Sequence, residues 1–190
     1  MTTILVASVE DLIAACDGHE TVGFHGTSSL ACKEIEANGF LPSKVFSQSD
    51  HANLFGITSS LSIDTLSYKE WFGMRSVTFA KQANDAVSHV RNGSSGGQGL
   101  QNMQTVLQSV LELGDDQQKM VAMSLVEKLE CIRKAPPVVY AVNLAGFGPR
   151  LVNDQRQPLY QYYWDPSLPV SAVSDIGPNR LIARLNLNEN

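Results

Sequence analysis

The chain has 190 residues, of which 43% are hydrophobic and 17% are charged. This length and apolar content predict one globular domain, residues 1–190, and exclude a disordered or fibrous chain. There are 14 Lys and Arg residues and 19 Asp and Glu residues, so the net charge is −5. Because nucleic-acid affinity depends on clustered cations, this balance disfavours a nucleic-acid partner.

The cysteines and the hydropathy pattern bear on the compartment. Cys16, Cys32 and Cys131 are odd in number and have no metal-binding spacing, so we expect free thiols, a reducing compartment and no metal. No stretch reaches the ~18 apolar residues that a membrane span needs. The N-terminal residues also lack the basic and long apolar regions of an export signal. We therefore expect a protein without a membrane segment that works in the cytoplasm, or in a host cytoplasm after secretion by a signal-less route.

The first forty residues alternate strands and helices. A short strand is predicted at residues 2–9, followed by a helix at 10–16. Apolar residues then alternate with polar or small ones in a half-buried strand at residues 22–25. A helix at 31–38 follows, and Gly39 is typical of a helix stop.

A polar stretch without periodicity covers residues 43–61 and contains His51. It predicts a long loop, of the kind that forms binding loops or lids. Helical spacing follows at residues 63–72. Residues 76–80 then predict a strand and residues 82–90 a helix, with one apolar face. That face consists of Ala83, Ala86, Val87 and Val90.

The middle of the chain predicts two helices. A Gly- and Ser-rich linker at 91–99 precedes an amphipathic helix at 100–113, and Gly114 ends it. Asp115 and Asp116 are typical of the start of a second helix, which Pro136 ends. Its expected buried stripe is Met120, Met123, Leu125 or Val126, and Leu129. We predict that these two helices form a helical insertion at about 99–134, which either packs against the rest of the domain or binds a partner.

Three strands are predicted in the last third, at residues 138–144, 159–164 and 180–185, since β-branched and aromatic residues are enriched there. Strands that alternate with helices clustered in the middle argue against a doubly wound parallel sheet. We therefore predict an α+β fold.

One stretch carries a functional motif. Residues 24–28 read Phe-His-Gly-Thr-Ser at the predicted end of a strand, an Ala and an Ile follow on the next helix, and Gly39-Phe40 come after it. This pattern resembles the His-type ADP-ribosyltransferases, a family that includes diphtheria toxin and the poly(ADP-ribose) polymerases. From the residues alone, the less favoured alternative is that His25 is a buried structural histidine at a strand end.

The resemblance implies a fold of two antiparallel sheets packed around a cleft that binds NAD, the substrate that donates ADP-ribose. It implies that His25 hydrogen-bonds a hydroxyl of the nicotinamide ribose. The backbone of Gly26 would hold the nicotinamide carboxamide, and Thr27 would adjoin them in the NAD site. The polar stretch at 43–61 would lie over the NAD.

Residues 76–90 resemble the second motif of the family, in which the strand carries a Tyr that stacks on nicotinamide. Here Thr78 occupies that position. Thr78 and Phe79 are therefore expected to line the nicotinamide site. Because a threonine has no stacking face, we expect either that an aromatic ring approaches, from Phe79 itself or from elsewhere, or that the nicotinamide is held differently. The other rings available are Tyr68, Trp71 and Phe72.

Residues 159–176 resemble the third motif, in which a catalytic Glu, Asp or Gln opens a strand. In that register the catalytic residue is Gln161, which can orient the ribose but cannot act as a base. The alternative is a purely structural core strand in which this polar residue faces outward. The competing residues are Tyr160 and Tyr163, and the nearest carboxylates are Asp154 and Asp165.

The resulting expectation is an NAD-dependent mono-ADP-ribosyltransferase that modifies a macromolecule, with a protein as the favoured acceptor. The alternative is a catalytically degraded relative that binds NAD, ADP-ribose or a protein partner. An RNA 2′-phosphotransferase-like enzyme ranks lower, because that branch holds phosphate with basic residues and this chain is acidic.

Overall fold

The computed structural model describes residues 3–40, 48–63, 76–91, 97–154, 159–163 and 175–187. These residues are mixed α and β, as predicted. They contain seven strands: β1 (Ile4–Val6), β2 (Val22–Ser28), β3 (Ser76–Ala80), β4 (Pro137–Asn143), β5 (Leu151–Asp154), β6 (Leu159–Tyr163) and β7 (Leu181–Asn186). The six α-helices of the described residues are α1 (Val9–Ala14), α2 (Cys32–Asn38), α3 (Gln48–Ser60), α4 (Ala83–Arg91), α5 (Gly97–Leu113) and α6 (Asp116–Lys134).

The seven strands form one sheet in the order β1-β7-β4-β2-β3-β6-β5. β1 runs parallel to β7, and the other neighbouring strands are antiparallel. This arrangement differs from the expected pair of antiparallel sheets. The strands still fall into two groups, because β2 and β3 meet only at Phe24 and Ala80, whereas β2 pairs with β4 along its whole length.

Each face of the sheet buries a hydrophobic cluster. On one face, α1 and α4 pack on side chains that include Phe24, Ala80 and Ala141. The opposite face buries Phe79 and Tyr140 together with residues of α2. Phe24 and Ala80 belong to one hydrophobic cluster, which explains why the two groups of strands join at this pair.

The helices α3, α5 and α6 share a hydrophobic cluster of their own. Leu54 and Thr58 of α3 are fully buried. The side-chain amide of Gln118 on α6 donates to Ser60 Oγ of α3 at 3.1 Å, and Lys128 pairs with Asp50 at 2.8 Å. The prediction of a loop at residues 43–61 is therefore wrong for residues 48–60, which form a helix because α5 and α6 bury one side of it.

The two helices predicted at 99–134 are present as α5 and α6. Asp115 caps α6 in a capping box with Gln118, and the Gly114 amide donates to the Val110 carbonyl. The expected buried stripe is wrong at two positions, since Met120 and Met123 are 67% and 55% exposed. The side of α6 that packs on α3 and α5 instead presents Ala122, Leu125 and Leu129.

Two further predictions concern strand limits. β2 does not end at His25 but continues to Ser28, because β4 pairs with it throughout. β5 was not predicted, since its four residues mix apolar and polar side chains without a clear period. The predicted helix at 63–72 lies outside the described residues, except for Ile63.

Several local predictions are confirmed. Ser8 caps α1 by accepting from the Asp11 amide at 3.0 Å, and Gly39 ends α2 with a φ of 76°. The three cysteines are free thiols. A separate finding, made only of the described ranges, is that no helix is long and apolar enough to cross a membrane.

Candidate functional site

The candidate site is built around His25 on β2. His25 pairs with Tyr140 of β4, and side chains alternate along a strand, so His25 lies on the face opposite that of Phe24. Its ring meets Phe40 edge-on at 4.9 Å and Phe79 at 5.6 Å between centroids. These rings fix the orientation of the half-buried imidazole.

A hydrogen bond fixes the tautomer of His25. Nδ1 lies 3.0 Å from the carbonyl oxygen of Thr78 on β3. A carbonyl oxygen only accepts, so Nδ1 carries the hydrogen and donates it. In the neutral ring Nε2 is then an acceptor, as binding of a hydroxyl donor requires.

The electrostatics of the site favour that neutral ring. Burial is the main cause that lowers the pKa of His25 below its ordinary value, and His89 on α4 lowers it further. The hydrogen bond to Thr78 acts in the opposite direction and raises it. The net effect keeps Nε2 unprotonated at neutral pH.

Close packing against α4 requires a glycine at position 26, which the sequence alone does not reveal. A Cβ atom at this position would lie 2.2 Å from Cγ1 of Val90 and 3.0 Å from the carbonyl oxygen of Ala86. The glycine thus lets α4 approach β2 closely. Thr27, the third residue of the motif, is buried and pairs with Val138 of β4.

Thr78 and Phe79 lie beside His25 in different ways. The Thr78 side chain is exposed, and its contact with His25 is made through its backbone carbonyl. Phe79 is fully buried and packs against Phe40 at 5.4 Å, so it supports the imidazole from within the core. The alternative rings Tyr68, Trp71 and Phe72 lie outside the described residues.

Gln161 lies on β6, two strands away from His25. Its register partner is Thr78, whereas the partner of Phe79 is Tyr160. Because Phe79 shares the face of His25, alternation places Tyr160 on that face and Gln161 on the other. Inter-strand spacing puts the backbones of β2 and β6 roughly 10 Å apart. The structure therefore brings Thr78 and Gln161 together, and His25 and Gln161 lie on either side of β3.

The ring of Tyr160 also has a cation beside it, since Lys81 Nζ lies 5.3 Å from its centroid. Of the other candidates, Tyr163 and Asp154 fall on described strands, but their side chains are not described. Asp165 lies outside the described residues, as does most of the third motif.

Sequence reasoning missed a polar cluster next to the site. Tyr140, the register partner of His25, donates its hydroxyl to Glu36 of α2 at 3.1 Å. Arg184 of β7 donates to the same carboxylate. Burial, with a contact from Cys32, raises the pKa of the Tyr140 phenol. The cluster holds α2 against the sheet next to the imidazole. Sequence reasoning missed it because Tyr140 and Arg184 come together only through the pairing of β4 with β7.

The site presents an imidazole that is oriented by the Thr78 carbonyl and supported by the rings of Phe40 and Phe79. Among the described residues, no group of three or more His, Cys, Asp or Glu side chains could hold a metal ion. Comparison with family models, with curated proteins and with solved structures gives no match to this chain.

Proposed function

We propose that the protein is an NAD-dependent mono-ADP-ribosyltransferase that acts on a protein acceptor. The observation that carries the proposal is the hydrogen bond from His25 Nδ1 to the Thr78 carbonyl. It turns a neutral Nε2 into a fixed acceptor, which is the role that the His-Gly-Thr motif implies toward a ribose hydroxyl. The narrow junction between β2 and β3 supports the expected cleft between two groups of strands.

In the proposed reaction the bond between nicotinamide and ribose breaks, and nicotinamide leaves with the bonding electrons. A nucleophile of the acceptor then bonds to the ribose carbon and loses its proton. Positive charge develops on the ribose, so oriented polar groups stabilise the transition state. Gln161 is the second residue that the resemblance implies, but it lies on the face of the sheet opposite His25, so Tyr160, which shares the face of His25, competes for the role.

The first experiment measures NAD binding by calorimetry for His25→Asn and His25→Ala. Asn keeps a donor near the position of Nδ1 but has no counterpart of Nε2, so the Thr78 bond can persist while the ribose contact is lost. Both variants should bind NAD about 1 to 3 kcal/mol more weakly than the parent. Unchanged affinity in His25→Asn at an unchanged melting temperature would remove the main support for the proposal.

The second experiment incubates the protein with labelled NAD and a cell extract. A labelled acceptor band is expected, and Gln161→Ala should weaken it strongly while changing NAD affinity little, because charge develops only in the transition state. Gln161→Glu should retain or raise NAD cleavage. If Gln161→Ala labels the acceptor fully and Tyr160→Phe loses the labelling, then Tyr160 and not Gln161 is the second residue of the site.

A degraded relative that binds NAD without transfer is the second candidate function. It is favoured by Thr78 and Gln161, which replace the stacking Tyr and the carboxylate of the resembled family. This candidate predicts NAD binding that depends on His25, with no labelled band from any extract.

A further inference from the structure

Helix α2 ends directly beside the candidate site. Its stop residue Gly39 is followed by Phe40, whose ring meets the imidazole of His25 edge-on at 4.9 Å between centroids. Phe40 is buried, and its backbone amide donates to the Ile176 carbonyl at 3.0 Å. The position of α2 therefore decides how closely the Phe40 ring covers the imidazole.

Polar contacts contribute much of the attachment of α2 to the sheet. Of the seven residues of this helix only Ile35 is buried, so its apolar contact with the core is small. Tyr140 of β4 donates its hydroxyl to Glu36 Oε1 at 3.1 Å, and Arg184 of β7 donates to the same oxygen. The side chain of Glu36 thus ties α2 to two strands.

The two partners of Glu36 lie on the face of the sheet that carries His25. His25 and Tyr140 are register partners, as are Tyr140 and Arg184, and residues in direct register share a face. Nε of Arg184 is buried, and it has no hydrogen-bond partner among the described residues. Glu36 supplies the carboxylate that pairs with this guanidinium.

We propose that Glu36 is a positioning residue for His25, which acts through α2 by holding the Phe40 ring against the imidazole. The ring of Phe40 then limits the access of water to the imidazole and fixes the plane in which Nε2 can accept a hydrogen bond. This inference rests on the proposed function only where NAD is the ligand, since the covering of His25 is measurable without any ligand.

The pKa of His25 distinguishes this action from a direct effect of the Glu36 charge. Burial is the largest cause of its lowering, with His89 on α4 acting in the same direction and the Thr78 carbonyl in the opposite one. Loosening of Phe40 exposes the imidazole to water and raises the pKa. Loss of a nearby anion would lower it, because an anion favours the imidazolium. The direction of the change therefore separates packing from charge.

The experiment follows the ring resonances of His25 by NMR in a pH titration of the full chain, with His25→Asn to assign them. Glu36→Ala should raise the pKa of His25 by about 0.5, and calorimetry should show NAD binding weakened about threefold. Glu36→Gln keeps an oxygen that can accept from Tyr140, so the pKa and the NAD affinity should stay close to those of the parent. Tyr140→Phe removes one of the two bonds and should raise the pKa by less than Glu36→Ala does.

Two further variants test the route through Phe40. In a Phe40→Ala background, Glu36→Ala should raise the pKa of His25 no further, because the ring through which Glu36 acts is gone. Glu112→Ala removes a carboxylate from α5, where Glu112 pairs with Gln108 of the same helix, and should leave the pKa and the NAD affinity unchanged. Circular dichroism verifies that each variant is folded.

An unchanged or lowered pKa of His25 in folded Glu36→Ala overturns the inference, as does an equal rise in the Phe40→Ala background. If Glu36→Ala does not fold, Tyr140→Phe decides in its place, and an unchanged pKa in that variant overturns the inference.

The outcome is separable from the proposed function. If Glu36→Ala raises the pKa of His25 but the parent does not bind NAD, the positioning role stands and the proposed function fails. If the parent labels an acceptor and Glu36→Ala keeps the parent's pKa and NAD affinity, the proposed function stands and the positioning role fails.

Discussion

His25 combines two tasks in one ring. Its carbon edges pack against Phe40 and Phe79, and its Nδ1 holds the Thr78 carbonyl at the point where β2 and β3 separate. The imidazole thus joins two strands that share little backbone pairing, so its protonation state affects stability as well as binding.

The lowered pKa of His25 predicts a pH dependence of stability. Burial disfavours the charged ring in the folded state, so the unfolded state binds more protons below the ordinary pKa of 6.5. The contribution of His25 to stability is fully present above that pH and is lost as the pH falls toward the lowered folded-state pKa. Urea unfolding between pH 5 and 8 should show a smaller decline toward acid for His25→Asn than for the parent. Parallel profiles would contradict this assignment.

At the scale of one helix, the capping box of α6 gives a quantitative prediction. Asp115 Oδ1 accepts from the backbone amide of Gln118 at 2.8 Å, and the backbone amide of Asp115 donates to Gln118 Oε1 at 3.0 Å. Asp115→Ala should lower the free energy of unfolding by about 1 kcal/mol. The matched control is Asp116→Ala, one residue further on, which should cost only a few tenths of a kcal/mol through the helix dipole. Thermal melting distinguishes the two, and equal losses would contradict the capping role.

The elements that the sequence predicts well are those with strong local signals. β4 is rich in β-branched residues and is bounded by Pro and Gly. In α5, apolar residues keep helical spacing without a break until Gly114. α3 was missed because its inward residues are few and its polar residues many, so only contact with α5 and α6 makes it a helix. Met120 and Met123 misled the prediction because apolar character alone does not say which side of a helix is covered.

The candidate site was only partly readable from the sequence. The motif marked His25 and Gly26, but the close approach of α4 to Gly26 depends on a contact between distant segments. That Tyr160 and not Gln161 shares the face of His25 follows from the register of β6 against β3, which no local pattern encodes. The third motif also falls partly on residues outside those described.

At the scale of the whole molecule, the hydrophobic clusters separate the sheet from the helices α3, α5 and α6. Deleting residues 97–134 and re-closing the chain removes the helices that bury Leu54 and Thr58. We expect the helical signal to fall by more than α5 and α6 account for, because α3 unfolds, while NAD affinity persists and labelling of the acceptor is lost. Circular dichroism and calorimetry test this. Retained hydrogen-exchange protection in α3 would show that the sheet, not the helices, stabilises it.

The parallel pairing of β1 with β7 has a consequence for biosynthesis. Ile4 pairs with Ala183, and β4 also needs β7 as its neighbour, so the edge of the sheet cannot close until the ribosome has released residues 181–186. Until then, β1 is an unpaired apolar segment on a nascent chain, and the cluster that buries Leu12 of α1 lacks Ala183, Leu185 and Leu187. Contacts between such distant segments form slowly. On the growing polypeptide, β1 therefore stays without its strand partner until β7 has been synthesised.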